Sequence, residues 1–180
     1  AEETYSYVAV KAGYVTKKDT ISVTEDTEKT ITMEKAPEST RKDVSAAWKN
    51  FRNSDDNMGI TSAKTPTSEA TTYEKWFKKL GSGWGAAPSV QIIVDNSLIV
   101  MSANHIYKLD LNTGDILQTG DMVAATNFGY TPPTYADGMI FAPLADGRVQ
   151  AFNAETLESL WVYQDTLKGQ SLSPITYSDG

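Results

Sequence analysis

A stretch of this chain nearly repeats itself, and the length of the period constrains the fold before any single residue is interpreted. Two turn dipeptides, Asp95-Asn96 and Asp137-Gly138, stand 42 residues apart, and Asp179-Gly180 follows after another 42. Pro88, Pro132 and Pro174 keep nearly the same step. Val90, Ile92 and Val94 alternate before the first turn, and Leu98 and Val100 alternate after it, less regularly followed by Ile106 and Leu109. That pattern reads as strand, two-residue turn, strand. The second copy places Ile140 and Phe141 after its Asp-Gly turn, then a further turn at Asp146-Gly147, then Val149, Ala151 and Phe152.

A repeat of ~40–45 residues holding about four short strands predicts β-propeller blades, since one small antiparallel sheet cannot bury both of its faces alone. The expected fold is therefore all-β: an incomplete propeller of about two to three blades, each a four-stranded antiparallel sheet. About two complete blades and the first strand of a third are countable before Gly180, and the chain starts at Ala1 without a methionine. The sequence therefore reads as a fragment of a longer protein. Pro174-Ile175-Thr176-Tyr177 is expected to be the first strand of that third blade, and the open edges it leaves point to self-association.

The wording of the repeat resembles the PQQ-like β-propeller repeat of quinoprotein dehydrogenases and their non-enzymatic relatives. Leu109-Asp110-Leu111-Asn112-Thr113-Gly114 matches the Leu-Asp-x-x-Thr-Gly pattern, and Phe152-Asn153-Ala154-Glu155-Thr156-Leu157 matches it with Leu in place of Gly. Trp76 and Trp161 stand two repeats apart, with Gln118 at the intermediate position. Trp48 to Asn53, followed by Asn57-Met58-Gly59, resembles the lead-in to such propellers, so the resemblance covers roughly residues 46–180. It implies structural roles for Trp76, Pro88, Asp110, Thr113, Gly114, Pro132, Thr156, Trp161 and Pro174, with both tryptophans packed between sheets as blade anchors. Catalytic relatives hold a quinone between a tryptophan and a vicinal disulfide, with calcium and an aspartate base. This chain has no cysteine and nothing that matches such a constellation residue by residue. The expectation is accordingly a chain with no cofactor, metal or catalytic residue, the alternative being a fragment of a quinone-dependent dehydrogenase.

Ahead of the repeats the texture changes. Tyr5 to Val10, the run around Ile21 and Val23, and the run around Ile31 and Met33 predict three strands over residues 1–36. They resemble the closing strands of a PEGA or carboxypeptidase-regulatory β-sandwich, with Gly13-Tyr14 at a characteristic position. Residues 37–72 read as a linker rich in Ser, Thr, Asn, Asp, Ala and Pro, with one short helix expected from Asp43 to Phe51. The blades then occupy residues 73–180.

Net charge is -7, which disfavours nucleic-acid phosphates and anionic lipid surfaces. No apolar run approaches the ~20 residues needed to span a bilayer, so no membrane insertion is expected. Lys17-Lys18 and Lys78-Lys79 read as solvated surface pairs. Asp110-x-Asn112-x-Gly114-Asp115 has the look of a calcium loop but misses the spacing, because glycine already stands at position five and Asp121 at position twelve. A local turn, with Asp110 and Asn112 bonded to nearby backbone, is the better reading. Gly81-Ser82-Gly83-Trp84-Gly85 lacks the elements of a phosphate loop and reads as a connection, in which Trp84 is expected to be buried, exposure as a binding residue being the lesser reading. His105, the sole histidine, has no nucleophile or orienting partner that the sequence can assign to it and is expected to hold a structural or surface position. The functional expectation is a non-catalytic scaffold of a secreted or cell-surface bacterial protein that binds another protein or a glycan.

Overall fold

The structure is a computed structural model, and it describes residues 3–9, 17–35, 42–126, 131–170 and 172–178. The chain divides into two compact units, one within Ala1–Thr40 and the other spanning Arg41–Ser178. No α-helix occurs among the described residues.

The first unit is a hairpin of β1 (Glu3–Ala9) and β2 (Lys17–Val23), paired antiparallel from Glu3↔Val23 to Ala9↔Lys17. None of its described side chains is buried. The third expected strand, around Ile31 and Met33, does not form. Lys17 Nζ donates to the Thr32 carbonyl (3.3 Å) and Lys29 Nζ to that of Thr20 (3.3 Å), so lysine side chains link this run to β2. A two-stranded ribbon with no buried face is marginal by itself.

The second unit holds two stacked sheets. In the first blade, β4 (Ile92–Val94), β5 (Ser97–Ser102), β6 (His105–Asp110) and β7 (Ile116–Asp121) form an antiparallel meander. In the second, β8 (Thr134–Ala136), β9 (Met139–Leu144), β10 (Arg148–Asn153) and β11 (Ser159–Gln164) repeat it. Asp95-Asn96 and Asp137-Gly138 have positive φ at both residues, the type I′ geometry whose twist suits two-residue hairpins, while Asp146-Gly147, also positive at both, closes the three-residue loop between Leu144 and Arg148.

The helix expected from Asp43 to Phe51 is absent. In its place β3 (Ala46–Trp48) joins the edge of the first sheet, pairing Ala46 with Val94 and Trp48 with Ile93. Val44, Ala46 and Trp48 alternate, and all three pack on the core, so the period of two prevails over helix propensity. The segment read as linker thus contributes a fifth strand to the first blade.

Ile92, Val94, Ile99, Met101 and Ile106 of the first blade meet Tyr135, Ile140, Ala142, Leu144 and Phe152 of the second in one continuous core. Burying each large side chain contributes about 1.5–3 kcal/mol, so this seam outweighs the solvated hairpin. The far face of the second blade presents Met139, Phe141 and Ala151, on which Ile175 and Tyr177 pack. Pro174–Tyr177, expected to be a strand, makes no ladder. It is held by a bond from Thr134 Oγ1 to the Ile175 carbonyl (2.8 Å) and by stacking of Tyr177 on Phe141 at 5.8 Å.

Candidate functional site

The residues that the repeat singled out are mostly joints. The turn after β6 shows why. Asp110 accepts the backbone N–H of Asn112 (2.7 Å) and of Thr113 (2.9 Å), and Gly114 N donates to the Asp110 carbonyl (2.9 Å). These donors, Asn112 first, hold the Asp110 carboxyl below the usual carboxylate range. Asn112 does not bond local backbone as expected, since its Oδ1 accepts from Lys75 Nζ at 2.8 Å. Gly114 has φ +73°, and a Cβ there would stand 2.5 Å from Trp76 Cε3. Trp76 lies over the glycine and donates its indole N–H to the Leu111 carbonyl (3.1 Å). The turn therefore needs glycine twice, for its backbone conformation and for the ring above it.

The second blade rebuilds the same turn. Asn153 Oδ1 accepts from Glu155 N (2.8 Å) and Thr156 N (3.2 Å), and Leu157 N donates to the Asn153 carbonyl (2.9 Å). Leu157 adopts φ +56° where the first blade has glycine, and its side chain is buried in the inter-blade core. Here it is β7 that passes over the turn: a Cβ on Gly120 would meet the Leu157 carbonyl at 2.7 Å. Gln118 of β7 stands at the repeat position of Trp76, so the pair Trp and Gly is exchanged for Gln and Leu.

Trp161 lies on β11, paired with Ala151 and 5.8 Å from the Phe141 ring, and is 44% exposed. It is therefore not the buried anchor expected. Trp84 sits in a short 3-10 turn, Trp84–Ala86, and is 83% exposed, which corrects the expectation of burial. Pro88 is exposed beside buried Ser89, whereas Pro132 is fully buried and Pro174 half-buried. His105 opens β6 on the surface, its Nδ1 3.0 Å from Asp121 Oδ1.

Three side chains that sequence reading passed over tie the blades together. Gln150, 1% exposed, accepts from Val123 N (2.9 Å) and donates to the Asp121 carbonyl (3.1 Å) and Ser159 Oγ (2.9 Å). Lys108, also buried, reaches Asp95 Oδ2 (3.1 Å) and the Ala154 carbonyl of the second blade (3.4 Å). Tyr135, 5% exposed, receives Val44 N on its hydroxyl (2.7 Å) and donates to the Asp43 carboxylate, while its own N–H bonds the Lys49 carbonyl (2.7 Å). Burial first, then the bond to Asp43, pushes the phenol up to about 12. The signal for Gln150 was a polar residue inside an apolar strand; Tyr135 carried none.

Beside Tyr135 lies a cleft of about 220 Å³, lined by Asn50, Arg52, Asp55, Thr134, Tyr135 and Tyr177 among others. Its acid, Asp55, is engaged by Lys49 at 2.8 Å. Amides, hydroxyls and one guanidinium suit it to a small polar group, but it brings no base up to a nucleophile. Among the described residues no group of three or more acidic, histidine or cysteine side chains is placed to hold a metal ion. No helix among them is long and apolar enough to cross a membrane.

Residues 67–178, well over half of the chain, match the family model described as outer membrane protein assembly factor BamB, a model of PQQ-like repeats. The chain belongs to this family. Solved structures similar to it include BamB from Moraxella catarrhalis, 23% identical with a TM-score of 0.44, covering 52% of this chain and 29% of that one. The quinohemoprotein alcohol dehydrogenase from Comamonas testosteroni is 17% identical with a TM-score of 0.35, covering 45% and 14%. A europium-containing methanol dehydrogenase is 24% identical with a TM-score of 0.36, covering 48% and 18%. The chain spans less than a third of the length of each of these proteins. No curated protein matches it significantly. The PQQ-like blades are thus those expected from the Leu-Asp-x-x-Thr-Gly motif.

Proposed function

We propose that this chain is a non-catalytic propeller segment of a bacterial cell-envelope protein, and that it binds another protein. One observation carries the reading: large apolar side chains lie exposed on the outermost strands of both blades. Ile116 and Leu117 on β7, and Leu160, Trp161, Val162 and Tyr163 on β11, form this rim, and Trp84 stands clear of the first blade. Exposed aromatics flanked by polar groups are the composition of protein-binding hot spots. The repeat motifs, by contrast, are consumed in turns and joints: Asp110 and Asn153 cap backbone, while Gln150 and Lys108 cross between blades. The family description, an assembly factor of the outer membrane, supports both a protein partner and an envelope setting. A glycan partner and a quinone-dependent oxidoreductase are the competing readings.

Photo-crosslinking from position 84 or 163 in producing cells tests this. The expected result is a discrete adduct that protease removes and glycosidase does not. Saturable binding of PQQ with calcium, seen by absorbance and a raised melting temperature, would overturn the non-catalytic reading. Adducts sensitive only to glycosidase would overturn the protein partner.

A further inference from the structure

One wall of the cleft beside Tyr135 is a loop, residues 50–59, closed on itself by main-chain bonds. The Arg52 carbonyl accepts both Ser54 N (2.9 Å) and Gly59 N (2.9 Å), and Asn57 N donates to the Ser54 carbonyl (2.9 Å). Asn50 Oδ1 accepts Arg52 N (3.2 Å). Asn53, Asn57 and Gly59 all take positive φ, which lets the segment close over so few residues. A Cβ on Gly59 would stand 3.6 Å from Arg52 Nε, so the arginine runs along the bare face of that glycine. The main chain of Arg52 thus holds the loop, and its guanidinium is left over.

The acids around it are engaged elsewhere. Asp55 is paired with Lys49 at 2.8 Å, Asp56 accepts the Ser54 hydroxyl, and Asp43 accepts that of Tyr135. Arg52 is therefore a cation of the lining without a counter-charge among the described residues. The opposite wall is the run 174–177, fixed by Thr134 Oγ1 on the Ile175 carbonyl (2.8 Å) and by the stacking of Tyr177 on Phe141. Asn57 and Thr176 bring further side-chain donors to the lining, and Phe51, Pro174 and Tyr177 bring apolar surface.

We propose that this cleft binds a small organic acid, its carboxylate on the Arg52 guanidinium with Asn57 and Thr176 as supporting donors, and its apolar body between Phe51, Pro174 and Tyr177. The planar fork of a guanidinium matches a carboxylate with two parallel bonds. A single unpaired cation with Asp55 alongside favours a monoanion over a phosphate dianion, which the neighbouring carboxylate would repel more strongly. The cleft of about 220 Å³ has room for roughly seven waters, less than a pocket for a drug-sized ligand, so the apolar body is no larger than one ring. The site is independent of the protein-binding rim, which lies on β7 and β11.

The probe is 3-phenylpropionate, titrated into the whole chain, with 3-phenylpropionamide as its uncharged twin. Binding is read by NMR at the Nε–H of Arg52, the side-chain amide of Asn57 and the ring of Tyr177. A saturable shift is expected at these groups, with a dissociation constant of about 1 mM, the scale for a ligand of about ten heavy atoms at an open site. The amide should bind at least about tenfold more weakly, because it forgoes the charge-assisted pair. Arg52→Gln should abolish the preference for the acid and leave the urea midpoint unchanged, since only the main chain of Arg52 holds the loop. Asn57→Gly, which retains the left-handed backbone, should weaken the acid severalfold. No saturable shift, equal affinity for acid and amide, or shifts confined to β7 and β11 would overturn the proposal. So would a preference for the acid that survives Arg52→Gln, or inorganic phosphate competing at least as tightly as the acid.

Discussion

Removing one oxygen, in Tyr135→Phe, tests whether the lead-in strand is fastened as described. The hydroxyl accepts Val44 N at 2.7 Å and donates to Asp43, so the substitution strips a half-buried N–H of its acceptor and breaks a bond to a charged group. Each such loss costs about 1–3 kcal/mol, which sets the expected destabilisation at roughly 2 kcal/mol. The phenol itself adds a pH dependence. A value raised from 10.0 to about 12 means that the fold favours the protonated form. That contribution is fully present below pH 10 and is lost as pH rises through 12, and two units correspond to about 2.7 kcal/mol at most. Urea unfolding followed by tryptophan fluorescence, on wild type and Tyr135→Phe in parallel, supplies the measurement at pH 8 and at steps toward pH 12. The gap between the two proteins should be about 2 kcal/mol at pH 8 and should close above pH 10, because only the wild type has this group to titrate. Equal stability at pH 8, or a gap that stays constant to pH 12, would refute the fastening.

Gly114→Ala should destabilise by about 1–2 kcal/mol from its left-handed backbone alone, and further because the methyl meets Trp76; in a Trp76→Ala background the second part should vanish, a non-additivity that a double-mutant cycle in urea measures. Gln150→Leu should cost about 1–3 kcal/mol by leaving Val123 N without an acceptor, and amide exchange at Val123 should accelerate with it. Trp161→Ala should lower stability by well under the ~3–5 kcal/mol typical of a buried tryptophan, since the ring is 44% exposed, and calorimetry distinguishes the two.

The turns were the most legible part of the chain, because a positive φ at two consecutive residues selects Asp, Asn and Gly so strongly that Asp95-Asn96, Asp137-Gly138 and Asp146-Gly147 announce themselves. The blades followed from their spacing. Ala46–Trp48 was misread because three residues of alternation weigh little against a helix-favouring neighbourhood, and only the free edge of β4 decides between them. Ile31 and Met33 show the reverse error, alternation with no sheet to join. Burial of Trp84 was inferred from residue type and that of Trp161 from its slot in the repeat, but residue type reports an average and the position of a strand within its blade sets the outcome. Tyr135 was out of reach, since its partners Asp43 and Val44 lie some ninety residues away in the chain.

The exchange of Trp76 and Gly114 for Gln118 and Leu157 makes the blades non-interchangeable. A tryptophan brought over the second turn would meet a left-handed leucine where the first turn offers an empty glycine face. A duplicated or transposed blade would therefore carry the wrong half of a pair into each junction it entered. Blade order is written at these two joints as a steric address, and shuffling of repeats, the easy route by which such arrays grow, is penalised at the seam rather than within the sheets.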